Sequence, residues 1–139
     1  MKYLVDADVL SELTRQAPEP RVVAWLRRHE ADLVVSCVVL GEIEYGILLL
    51  PSGKRRARLQ EWFATGIQRM RSLELDGQVA SAWARLLARL KKGGRAMPIK
   101  DSLIAATAIA HGLIVATRNS RDFRAAGTEL VDPFAYTAK

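Results

Sequence analysis

The chain has little sulfur or imidazole chemistry to offer. Its 139 residues hold one cysteine, Cys37, and two histidines, His29 and His111. A lone cysteine excludes an intrachain disulfide, and such usage fits a reducing compartment. So few Cys and His leave a classical zinc site without ligands. Neither histidine lies in a motif that marks a base or a nucleophile. Long apolar runs are missing too. The longest, 38–50, is broken by Glu42 and Glu44 and is too short to span a bilayer. The early apolar run contains Asp6 and Asp8, so it does not read as a secretory signal. No repeat, low-complexity segment or linker appears. The expectation is a soluble cytoplasmic protein with no membrane partner, folded as a single domain over residues 1–139. Aromatics are only 6%. Trp25, Trp62 and Trp83 sit among apolar residues at helical spacing, which suits a core or a dimer interface better than a base-stacking platform. Cys37 reads as a small buried residue.

Half of the chain is apolar, enough for a proper core, and the formal charge is +6. That charge is uneven. Residues 51–100 hold twelve Lys/Arg against three acids, a net +9, and the rest of the chain is −3. A basic middle suits a polyanion such as nucleic acid; solvated helix faces would give the same count.

Short strands alternate with longer helical patterns. The reading is a strand at 2–5, a short helix at 8–14, a helix from Pro20, a strand at 33–35 and a helix from the cap Ser36 to Leu50. An amphipathic helix follows at 54–71, then a strand at 73–75. Asp76 caps a helix that Gly93-Gly94 ends. A small-residue helix at 99–111 stops at Gly112, and strands at 113–116 and 130–131 close the chain. Strands alternating with helices imply a parallel sheet covered on both faces. Ligands bind beyond the carboxyl ends of such strands, and Asp6 and the 117–122 loop both land at that edge.

Four motifs carry acids: LVDADVL (4–10), LGEIEYG (40–46), MPIKDSLIAA (97–106) and TRNSRDF (117–123). Several of these acids interrupt or end apolar segments, where an ionised carboxylate is costly unless something offsets it. A hard divalent cation shared by several would do so. Each acid also has an ordinary reading. Asp6 or Asp8 could cap the helix near Val9. Glu42 shares a helical face with Val38, Tyr45 and Leu49, and Glu44 one with Leu40, Ile47 and Leu48, so spacing does not choose between them. Asp101 could be an N-cap. Asn119 and Asp122 are common turn residues. Arg118 and Arg121 beside them could meet phosphate oxygens or merely neutralise the acids.

Taken in order, VDADVLSEL (5–13), LGEIEYGI (40–47), PIKDSLIAATAIAHGL (98–113) and TRNSRDF (117–123), with Asp132-Pro133-Phe134 near the end, resemble the PIN-domain ribonucleases of the VapC toxin type, especially their FitB-like branch. The resemblance spans essentially the whole chain. It implies a three-layer α/β/α PIN-like domain around a parallel sheet of four to five strands. It implies a metal-dependent endoribonuclease, the toxin of a type II toxin–antitoxin system, using Mg²⁺ or Mn²⁺. Asp6, Glu42 and Asp101 match the first three acidic positions. The fourth falls on Asn119 or Asp122, with Asp122 favoured. Direct metal contact is assigned to Asp6 and Asp101; Asp122 and Glu42 would place the metal, its waters or a second ion. A cognate VapB-type antitoxin, an RNA substrate and a homodimer are the implied partners. Lys54, Arg55, Arg56 and Arg118 are candidate RNA contacts, as is the 85–95 stretch.

One departure stands out. The family's opening usually reads Asp-Thr-Asn or Asp-Ser-Asn, whereas this chain has Asp6-Ala7-Asp8. A hydroxyl is lost and an acid replaces an amide, which puts the level of activity in question. A catalytically weakened PIN-like module that binds RNA or antitoxin is the alternative. DADVL also resembles the Asp-x-Asp signature of HAD-type phosphatases, with Asp6 as nucleophile and Asp8 as proton donor. The later Gly-Asp-rich acidic motif of those enzymes is missing.

Overall fold

Strands of two to four residues suffice here, because the apolar segments of the inner ones are buried on both sides. The computed structural model describes residues 1–137. Its regular elements are β1 (Tyr3–Val5), α1 (Ala7–Ser11), α2 (Pro20–Arg28), β2 (Leu33–Ser36), α3 (Cys37–Leu48), α4 (Lys54–Thr65), β3 (Ser72–Leu73), α5 (Gly77–Lys92), α6 (Ile99–His111), β4 (Ile114–Ala116), α7 (Ser120–Phe123) and β5 (Leu130–Val131). The strands form one sheet in the order β3-β2-β1-β4-β5, every pair parallel. Tyr3 stands in register with Leu33 on one side and Ile114 on the other. The chain winds from β1 to β2 and β3, then crosses back to lay β4 on the other flank of β1. The topological switch point therefore lies between β1 and β4, where α/β sheets open a crevice for ligands.

Neighbouring residues on a strand point to opposite faces. Leu4 and Val5, Val34 and Val35, and Val115 and Ala116 are all fully buried. Both faces of the sheet are thus covered, which gives the α/β/α sandwich expected of the repeating strand–helix pattern.

Local chemistry explains the helix ends that matter. Ser36 closes β2 and caps α3, accepting the Val38 N–H at 3.1 Å. Asp76 accepts the Val79 N–H at 2.9 Å and caps α5. Small residues let α6 lie close to its neighbours: Ala105, Ala106 and Ala108 are buried. The Trp83 indole N–H donates to the Ser102 hydroxyl at 2.9 Å and ties α5 to α6. Gly112 ends α6 in the left-handed region, φ 65° and ψ 41°, where a side chain would be strained. Trp25 is buried edge-on against Tyr3, with ring centroids 5.0 Å apart, and His29 completes that aromatic group.

Four details depart from expectation. The helix expected over 54–71 stops at Gly66, and a 3-10 turn Ile67–Arg69 follows. Thr65 turns its hydroxyl back onto the Glu61 carbonyl at 2.7 Å, and glycine offers little helical preference beyond it. The helix expected over 8–14 is likewise α1 followed by a 3-10 turn, Glu12–Thr14. The third strand pairs at Ser72–Leu73 rather than over 73–75, and Leu75 is exposed. Cys37 is half-buried, because α3 begins there at the rim of the sheet rather than inside it.

Candidate metal centre

Asp6 follows β1 directly and is only 7% exposed. Its backbone N–H donates to Ala116 on β4 at 2.9 Å, which extends the sheet pairing by one residue. One carboxylate oxygen, Oδ1, accepts the Ala7 N–H at 2.8 Å, and the other, Oδ2, accepts the Thr117 hydroxyl at 2.8 Å. Asp6 therefore caps α1 and at the same time faces the crevice between β1 and β4. Burial raises its pKa above the ordinary carboxylate value, while the Thr117 and Ala7 hydrogen bonds and the nearby Lys100 charge pull the other way.

Asp8 lies in the first turn of α1. Its Oδ2 accepts the Arg118 N–H at 3.1 Å and stands 3.5 Å from the Thr117 hydroxyl. Its Oδ1 is buried without a hydrogen-bond partner. Burial, and then repulsion from Asp6, push its pKa up to about 7. Asp132, whose carboxylate caps Phe134 at 2.9 Å, adds a smaller repulsion.

The packing of α3 separates the two glutamates that spacing left equal. Glu42 is half-buried and Glu44 exposed. The face that Glu42 shares with Tyr45 and Leu49 is not core, since those two are 64% and 67% exposed. Glu42 instead pairs through Oε2 with Lys100 Nζ at 3.5 Å.

Asp101 sits in the first turn of α6, but Pro98 holds the cap position and no side chain caps that helix. The capping role open to Asp101 is therefore not the one it takes. Its pKa is pushed up to about 6 by burial and then by the charges of Asp6, Asp122 and Glu42, with Lys100 opposing. Asp122, in α7, accepts from the Asn119 side-chain amide at 2.6 Å. Asn119 stands at the cap position of α7 without capping it; its own N–H donates to Thr117 Oγ1 at 2.9 Å.

Carboxylates from three other segments, Asp6, Asp122 and Glu42, thus act on Asp101 at one edge of the sheet. Among the described residues, no three His, Cys, Asp or Glu side chains stand close enough to share an ion as placed. The donor chemistry still fits a hard cation: the set is all carboxylate oxygen, one buried oxygen of Asp8 is unpartnered, and burial and then the charges of three other acids raise Asp101.

Of the basic residues expected near RNA, two reach the site. Arg55 lines a crevice of about 350 Å³ together with Asp8 and Glu42. Arg118 lays its guanidinium on the Phe134 ring, 4.5 Å from the centroid, and its backbone holds Asp8. Lys54 is exposed at the start of α4, and Arg56 reaches the Leu50 carbonyl at 3.5 Å. Two contributors escape sequence reasoning. Thr117 is fully buried and joins the 117–123 motif to Asp6 across 111 residues. Its one local signal is a hydroxyl placed directly after a buried strand. Lys100 reads in the sequence as part of the basic middle and of the 97–106 motif, with no sign that it meets Glu42.

Comparison with known proteins agrees with this fold. The family model for the PIN domain matches residues 3–128. The chain is 33% identical over 135 residues to the VapC ribonuclease Y4jK of Sinorhizobium fredii, covering 94% of this chain and 96% of that protein. It is 36% identical over 135 residues to the toxin FitB of Neisseria gonorrhoeae, covering 94% and 97%. A crystal structure of FitAcB from Neisseria gonorrhoeae superposes with a TM-score of 0.90 at 35% identity, over 96% of this chain and 99% of that one.

Proposed function

The chain belongs to the PIN-domain family, and from that premise we propose that it is a metal-dependent endoribonuclease, the toxin of a type II toxin–antitoxin pair. The observation that carries the reading is Asp101 on α6, whose carboxyl feels the charges of Asp6 after β1, Asp122 on α7 and Glu42 on α3. Asp6 and Asp101 would hold Mg²⁺ or Mn²⁺, with Asp122 and Glu42 placing the ion or a second one. When bound, such an ion supplies an activated water at neutral pH and stabilises charge on the phosphoryl oxygens.

The protein's own residues prepare that chemistry. Thr117 donates to Asp6 Oδ2 and fixes the carboxylate in one orientation. Asn119 does the same for Asp122, which makes it a positioning residue. Arg55 and Arg118 flank Asp8 and offer donors to the RNA backbone, with Lys54 and Arg56 further out on α4. The whole chain would act as one domain, in the cytoplasm, as a homodimer. A cognate VapB-type antitoxin would hold it inactive.

A second reading rests on Asp8. Its unpartnered, buried oxygen beside Asp6 is a liability that an amide would lessen, and it favours a weakened module that binds RNA or antitoxin without rapid cleavage.

The test is cleavage of structured and unstructured RNAs by the chain freed of antitoxin, in Mn²⁺, Mg²⁺ or EDTA. Metal-dependent cutting that disappears in Asp6→Asn and Asp101→Asn supports the nuclease. RNA binding without cutting at any metal concentration supports the weakened module. Cutting that survives both substitutions refutes the site.

A further inference from the structure

Among the described residues, one salt bridge reaches the acid cluster, and Lys100 makes it. The lysine stands in the first turn of α6, next to Asp101. A cation there opposes the positive end of the helix dipole, so the helix itself disfavours it. What offsets that cost is the cluster: Nζ lies 3.5 Å from Glu42 Oε2 on α3, and its charge also acts on Asp6 and Asp101. The Lys100 side chain is 62% exposed. No packing pins the ammonium, and a four-carbon stem lets it swing about its root. A monovalent cation at this place has the same partners that a divalent ion would take. It cannot stay on Glu42 at full strength once two further positive charges arrive between the acids.

We infer that Lys100 is an exchangeable countercharge of the acid cluster: its ammonium balances Glu42 before the divalent ion binds, gives up that carboxylate as the ion loads, and then meets a phosphate of the RNA. The inference rests on the nuclease reading above. It adds a residue that tunes metal affinity and contacts substrate, and one beyond the acids that the motifs were read for. Lys100 makes the unloaded cluster less costly and the loaded one more attractive to a polyanion, so removing it should move the two affinities in opposite directions.

The experiment is calorimetric titration of Mn²⁺ into the wild type, Lys100→Met, Glu42→Gln and the double variant, with Lys100→Gln as a second form of the same change and Asp6→Asn as control. Thermal melts verify folding of each. Loss of one exposed positive charge beside the site should tighten Mn²⁺ binding roughly three- to ten-fold. The gain should shrink in the Glu42→Gln background, where only the action of Lys100 on Asp6 and Asp101 remains. A second readout is the affinity for a phosphorothioate oligoribonucleotide, which keeps its charge and resists cleavage. With Mn²⁺ present, Lys100→Met should weaken that binding and flatten the plot of log affinity against log salt by about 0.7, one phosphate contact on a single strand. In EDTA it should change neither.

Mn²⁺ affinity unchanged or weakened in both Lys100 variants overturns the inference, as does an unchanged salt slope with Mn²⁺. Those failures leave the nuclease reading intact as long as Asp6→Asn still loses metal. A wild type that binds no Mn²⁺ overturns both together.

Discussion

Replacing Asp8 with asparagine should stabilise the protein at neutral and alkaline pH relative to its effect at acid pH. The cause lies in three observations. Oδ1 of Asp8 is buried without a partner, Oδ2 accepts the Arg118 N–H at 3.1 Å, and the Asp6 carboxylate is close enough to repel it. Together burial and repulsion push its pKa from the ordinary 3.8 to about 7. Below pH 3.8 the group is protonated in both the folded and the unfolded chain, and it costs nothing. Between 3.8 and 7 the unfolded chain has released its proton while the folded chain still holds it, so stability falls as pH rises. Above about 7 both are ionised and the cost is at its full value. A tenfold weakening of an acid corresponds to about 1.4 kcal/mol, so the rise from 3.8 to about 7 sets a ceiling of about 4 kcal/mol. Solvent relaxation around a partly accessible carboxylate should leave about 1–2 kcal/mol of it. Asparagine keeps an acceptor for Arg118 and does not titrate. Urea unfolding of wild type and Asp8→Asn, in EDTA at pH 4.5, 6, 7 and 8.5, measures the difference directly. The expected result is that the variant gains about 1–2 kcal/mol on the wild type between the lowest and highest pH. A difference that stays the same at every pH would refute the reasoning.

Thr117→Val keeps the shape of a fully buried side chain but removes the donor to Asp6; it should cost about 1–2 kcal/mol in urea unfolding and weaken Mn²⁺ binding, whereas unchanged values for both would show that the hydroxyl does not hold the carboxylate. The Asp101 carboxyl titrates at about 6. Protons should then compete with metal, and calorimetric Mn²⁺ affinity should fall up to ten-fold per pH unit below 6, with a flat profile between pH 5 and 8 as the contrary result. Gly112→Ala meets no neighbour within 4 Å but must adopt φ +65°; a loss of about 1 kcal/mol and a lower Tm are expected from backbone strain alone, and an unchanged melt would contradict that account.

How much of this was legible in the sequence depends on the range of the interaction. The strand–helix alternation and the ends at Ser36, Asp76 and Gly112 are local, and the structure shows them where the sequence places them. Asp6 was legible because a carboxylate directly after an apolar strand needs a reason to be there. Spacing left Glu42 and Glu44 equal, since each shares a helical face with apolar residues, and it is the resemblance that names Glu42. The packing of α3 leaves Glu42 half-buried beside Lys100 and Glu44 exposed. The break at Gly66 is hidden because the apolar spacing runs on through Ile67 and Met70 while the backbone does not. Thr117 and Lys100 were invisible for a different reason. Their partners, Asp6 and Glu42, lie far away in sequence, and nothing local to a threonine or a lysine reports a contact across the sheet edge.

The central claim is that the end of β1 and the first turn of α6 build one divalent site from separate motifs. Crystals grown with Mn²⁺ and measured at the manganese absorption edge would test it most directly. The account predicts an anomalous peak about 2.1 Å from carboxylate oxygens of Asp6 and Asp101, with Lys100 drawn off Glu42. A peak elsewhere on the surface, or none at the cluster in crystals whose solution counterpart binds Mn²⁺, would contradict it.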